Sequence, residues 1–159
     1  MPRRNPLSLV RSRAGGREQA IYLTQDECAA VIELGLRPTF GLHYAPDLSV
    51  EAMLENATAW MRAAEITSAG NAGVIPTTMR TEIAALLDEA IPEAALDLES
   101  ITSDRDKWRS GDPGRGFPDL GPQETGAFYE DMMERDRRHL RALTTIAEKV
   151  DPDANPEAS

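Results

Sequence analysis

The feature that most limits the fold is the spacing of apolar residues from Ser49 onward. They recur three and four positions apart, the period of a helix that buries one face. Val50, Met53, Leu54, Ala57, Trp60, Met61 and Ala64 keep that spacing, with Glu51, Glu55, Thr58, Arg62 and Glu65 on much of the other side. The pattern predicts a helix over 49–66 with the apolar set turned inward. Residues 67–73 (TSAGNAG) read as a small-residue turn. Pro76, Thr77 and Thr78 then supply start signals for a helix that buries Met79, Ile83, Leu86, Leu87 and Ala90. Pro92 is expected to end that helix and to begin another as its first residue, carrying Leu98, Ile101 and Trp108 on its inner face. A last helix, about 123–150, is expected to line one face with Phe128, Met132, His139, Leu143, Ile146 and Val150. Glu134 is expected to pair with Arg138 on its exposed middle.

Ahead of this region the signals are shorter. Thr24 with Glu27 three residues on makes a capping box. The helix it opens turns Cys28, Val31 and Ile32 inward and stops near Gly35, a favoured residue just past a helix end. Ala20-Ile21-Tyr22-Leu23 is rich in strand formers, but no second convincing strand follows. The segment is expected to pair with another chain or with a weak internal stretch. Residues 36–48 read as a loop anchored by Phe40, Leu42 and Tyr44. Residues 111–122 hold four Gly and three Pro and read as a long surface loop without a regular element. The resulting expectation is a mainly α protein. It would be a small bundle of four to five helices with a possible short N-terminal strand, organised as arm 1–17, helical domain 18–150 and acidic tail 151–159.

Composition bears on the class of function. In 159 residues there are 17 basic and 27 acidic side chains, for a net charge of −10. Arg3, Arg4, Arg11, Arg13 and Arg17 carry five of those positive charges in the first 17 residues, where there is no acid. The remainder stands at −15, so a basic arm is joined to an acidic body. An acidic body repels a phosphate backbone, which leaves nucleic-acid contact to the arm alone. Hydrophobic residues make up 41 %, enough for a core. No apolar run reaches the about 20 residues of a membrane span or forms a signal-peptide core. Residence in the cytoplasm, or in a virion for a phage protein, is the matching expectation. Arg outnumbers Lys 15 to 2 and Ala is frequent, a bias typical of GC-rich coding sequence.

The motifs that could carry chemistry are weak. One cysteine, Cys28, excludes an internal disulfide and a multi-cysteine metal site. Cys28, His43 and His139 lack zinc-ligand spacing. Asp104, Asp106 and Asp112 match positions 1, 3 and 9 of a calcium loop, but Trp108, Arg109 and Arg115 occupy positions that need an oxygen ligand, a glycine and a glutamate. The turn at 70–73 lacks the Lys-Ser/Thr ending of a phosphate loop. No catalytic, metal or cofactor site is therefore predicted, and no small-molecule ligand. The pattern favours a non-enzymatic structural or adaptor protein used in several copies within a larger assembly, such as a phage head–tail connector. The arm arginines would clamp an acidic neighbour, Ile21, Tyr22 and Leu23 would extend a partner's sheet, and Arg115, Phe117 and Leu120 of the long loop would enter between subunits. Two other readings compete. One is a bacterial regulatory or effector-binding protein whose body acids, such as Glu93, Asp97 and Glu99, dock on a basic partner. The other is a small enzyme built on Cys28, His43 and the acids near Trp108.

Overall fold

A computed structural model describes residues 20–39 and 49–151. The arm arginines, Phe40, Leu42, His43, Tyr44 and the tail beyond Asp151 lie outside the described residues. The chain is mainly α, and the described residues form four α-helices and a two-stranded sheet: β1 (Ile21–Tyr22), α1 (Gln25–Leu36), α2 (Val50–Ala72), β2 (Val74–Ile75), α3 (Arg80–Arg109) and α4 (Pro122–Val150). Among the described residues no helix is long and apolar enough to cross a membrane.

The start of α1 forms as the sequence dictates. Glu27 N donates to Thr24 Oγ1 (3.3 Å) and Thr24 N donates to Glu27 Oε1 (2.9 Å), satisfying two of the amides that a helix start leaves without partners. The helix does not stop at Gly35. It runs to Leu36 and passes into a 3-10 turn, and Gly35 is buried against α2. A Cβ on Gly35 would sit 2.5 Å from Thr67 Oγ1 and 2.8 Å from Thr67 N; one on Gly70 would sit 2.8 Å from Ile32 Cγ1 and 3.0 Å from Ile32 N. These glycines let two antiparallel helices approach closely, which is their purpose here.

The expected turn at 67–73 is helical as far as Ala72. Only Gly73 leaves the helix, at φ 72°, a left-handed conformation that favours glycine. That single residue reverses the chain into β2, which supplies the strand partner the sequence left open. Ile21 pairs with Ile75 and Tyr22 with Val74, antiparallel. Two residues are too few for an alternating pattern to show, so β2 left no signal.

Pro92 does not divide α3. The helix continues through it for 30 residues, keeping Ile83, Leu87, Ala90 and Ala94 on one buried stripe. Proline removes the amide that would bond the carbonyl of Asp88, but Pro92 is exposed, where water can serve that carbonyl. Packing of α3 along the antiparallel α4 overrides the local cost. The core itself lies where α1, α2, α3 and α4 meet beneath the sheet: Ile21, Val31, Leu34, Ile66, Ile75, Ile83, Leu87, Leu143, Ile146 and Val150 are all buried.

Candidate interaction surface

The largest departure from the sequence reading is the orientation of α2. Val50 is 73 % exposed, Met53 54 %, Leu54 63 %, Trp60 43 % and Met61 69 %. Ala57 and Ala64 are exposed with them. The residues that α2 buries are Ala63, Ile66, Ala69 and Gly70, with Ala52, Asn56 and Ala59 half-buried above them. At 100° per residue the centres of the two sets lie roughly 150–170° apart, close to half a turn. The helix thus shows its small residues to the bundle and its large apolar ones to solvent. Two physical causes act together. Close packing on α1 admits only small side chains at the crossing. In addition, α2 has 23 residues against 12 in α1, so its first turns run past the end of the helix it packs on. A patch of this size exceeds the scattered apolar exposure of an ordinary surface.

The 111–122 segment is ordered against its own helices. Asp112 accepts a hydrogen bond from Gly114 N (3.0 Å) and caps a short 3-10 turn (Pro113–Arg115), contrary to the expectation of no regular element. Phe117 stacks edge-on to Phe128 (ring centroids 4.7 Å apart) and lies 5.7 Å from the Tyr129 ring, which in turn lies 5.8 Å from Trp108. Tyr129 donates its hydroxyl to the Arg115 carbonyl (2.6 Å), and burial raises that phenol's pKa. Arg115 is spoken for electrostatically, 3.1 Å from Asp104 and 3.9 Å from Asp112. Phe117 and Leu120 each keep about a third of their surface exposed at this tip. On α4 the inner face is Thr125, Tyr129, Met133, Ala142, Leu143, Ile146 and Val150, so the N-terminal half is displaced by one residue from the expected Phe128 and Met132.

Of the strand residues expected to meet a partner, Ile21 is buried in the core, Leu23 is half-buried and Tyr22 is exposed. The Leu23 amide donates to the Gly73 carbonyl, and Lys149 Nζ donates to the Tyr22 carbonyl (3.0 Å). The segment's backbone is largely satisfied within the chain. Sequence reasoning gave α2 the right start and periodicity, but it ended the helix six residues early and turned the wrong face inward, because a period reports that a helix is amphipathic without naming what covers it.

A cleft of about 450 Å³ runs between α1, α3 and α4. Its floor is small and apolar, formed by Ala30, Leu34, Ala90 and Ala94, and its rim is charged. Part of the rim is paired: Arg37 meets Glu93 at 2.7 Å and Arg138 meets Asp26 at 4.0 Å, while His139 Nε2 lies 3.5 Å from Glu33. The hydrogen bond from Arg37 holds the Glu93 carboxyl below its ordinary range. Arg138 therefore reaches α1, and Glu134 instead lies 3.9 Å from Arg137.

The competing chemistries do not assemble among the described residues. A Cβ on Gly73 would lie 3.7 Å from Cys28 Sγ, which places the thiol at the end of α2, whereas His139 faces Glu33 from α4. No group of three or more metal-ligating side chains forms among the described residues. Asp104 and Asp106 sit on α3 and pair with Arg115 and Arg105. Compared with protein-family models, curated proteins and solved structures, the chain matches none.

Proposed function

We propose that this protein is a non-enzymatic structural or adaptor protein that works as one of several copies in a larger assembly. The observation that carries the reading is the outward face of α2. Five large apolar side chains are exposed on a helix that packs on the described bundle through its small residues. Exposed apolar area of this kind is stabilised when another macromolecule covers it. The arm of five arginines is a second point of attachment, suited to an acidic neighbour such as the body of an adjacent copy. A phage virion, at a head–tail connector, is the setting we favour for a small helical protein with a charged arm and GC-rich residue usage.

Light scattering on the eluting full-length chain and on a form lacking residues 1–17 tests the reading. The full chain is expected at a multiple of its 17.4 kDa mass, with part of the self-association lost when the arm is removed. A strictly monomeric full chain at every concentration would refute multi-copy use. The virion setting is tested separately: peptides of this chain should occur in purified particles at fixed stoichiometry, and their absence removes that setting.

A further inference from the structure

We infer that the outward face of α2 is a self-complementary dimer interface, joining two copies antiparallel about a two-fold axis that passes by Ala57. The inference deepens the assembly reading above and rests on it. It starts from the order of the exposed residues. Val50, Met53 and Leu54 lie seven, four and three positions before Ala57; Trp60, Met61 and Ala64 lie three, four and seven positions after it. A two-fold axis at Ala57 therefore sets Val50 against the partner copy's Ala64, Met53 against its Met61, and Leu54 against its Trp60. Each large side chain meets a flexible, flat or small one, and the smallest residue falls where the two helices come nearest. An isologous interface requires this kind of self-complementarity, because each patch must fit its own copy.

The electrostatics agree. Glu51, Glu55 and Arg62 project from other sides of α2, and Arg62 is bound to Glu65 and to Glu82 on α3. No charged residue lies within the strip, so a like copy brings no like-charge repulsion to its centre. The area is sufficient. Five large side chains exposed to the degree given above present on the order of 500 Å² per copy. Two copies together cover on the order of 1,000 Å², which reaches the lower bound for a specific interface before Ala57, Ala64 and the aliphatic stems are added. Two methionines suit the interface further, since their unbranched side chains fill irregular gaps between helices.

The test uses the full chain in a Cys28→Ser background. Sedimentation equilibrium should give twice the 17.4 kDa monomer mass for the parent. Leu54→Arg should give the monomer mass with unchanged far-ultraviolet circular dichroism. For orientation, Val50→Cys and Ala64→Cys proteins are mixed and oxidised. The antiparallel arrangement predicts 50-to-64 cross-links in excess over 50-to-50 and 64-to-64. In that arrangement the two residues 50 lie about 21 Å apart along the helix axis, which is beyond disulfide reach. A dimer that survives Leu54→Arg, or that cross-links 50-to-50 and 64-to-64 preferentially, overturns the inference while multi-copy use stands. A parent that is monomeric at every concentration overturns both.

Discussion

Replacing Lys149 by Met should destabilise the bundle more than replacing Glu27 by Gln, although both changes break the same ion pair. Lys149 Nζ donates to Glu27 Oε1 at 2.6 Å, and Thr145 Oγ1 donates to Glu27 Oε2 at 3.2 Å. The two partners differ in exposure: the Glu27 side chain is 2 % exposed and that of Lys149 is 37 % exposed. In Lys149→Met the stranded group is a carboxylate that water cannot reach, and the cost is about 2–4 kcal/mol at neutral pH. In Glu27→Gln the stranded ammonium can swing into solvent and Gln still completes the capping box, so about 1–2 kcal/mol is lost. Urea unfolding at pH 7 reads both differences directly, and each kcal/mol corresponds to roughly 2–4 °C of Tm in a chain of this size. The pH dependence supplies a second readout. Burial pushes the Glu27 carboxyl up, but the bonds from Lys149 and Thr24 together bring it below its ordinary value of 4.5. A carboxyl depressed in the folded state contributes stability above its unfolded pKa and loses it as pH falls through the folded one. The penalty for Lys149→Met should therefore shrink as the pH is lowered from about 5, because a protonated Glu27 no longer needs the ammonium. An equal or larger loss in Glu27→Gln, or a Lys149→Met penalty that does not change with acid, would refute the reasoning.

Three other outcomes follow from the packing. Pro92→Ala restores a helical amide to an exposed site and should raise stability by about 1–3 kcal/mol, seen as a higher urea midpoint; a lower midpoint would mean that the proline is needed for the path of α3. Gly35→Ala should lower the midpoint by about 1–3 kcal/mol despite alanine's better helix propensity, because the new methyl meets the Thr67 backbone. Tyr129→Phe removes the bond to the Arg115 carbonyl at a cost of about 1 kcal/mol. It should speed protease cleavage within 111–122, and an unchanged cleavage rate would show that ring stacking alone holds the tip.

How far the sequence could be read depended on whether a signal was local. The Thr24–Glu27 capping box is complete within four residues and forms as expected. The extent of α4 and its end at Val150 are likewise local, although its first half buries Tyr129 and Met133 in place of Phe128 and Met132. Gly35 and Gly70 read as punctuation because their neighbours in sequence say nothing of the helix that presses on each of them. Pro92 reads as a break because the force that carries α3 through it comes from α4, which begins 30 residues later in the chain. The face of α2 shows the same limit. Val50 to Ala64 have the pattern of a buried stripe, and the small residues beside them are the ones that pack. The tip was the opposite case: glycine and proline density predicted an open loop, but Phe117 and Tyr129 fold it onto α3 and α4 through contacts that no short window contains.

The tip has a consequence for how the molecule opens. Tyr129 and Met133 are buried apart from the main core cluster, and Tyr129 packs with Trp108 and Phe117. Two separate apolar clusters strung along one helical hairpin need not melt together. Amide hydrogens in the distal parts of α3 and α4 should exchange through a partial opening that leaves Leu87, Leu143 and Ile146 protected. The hairpin would then give way from its far end while the centre holds.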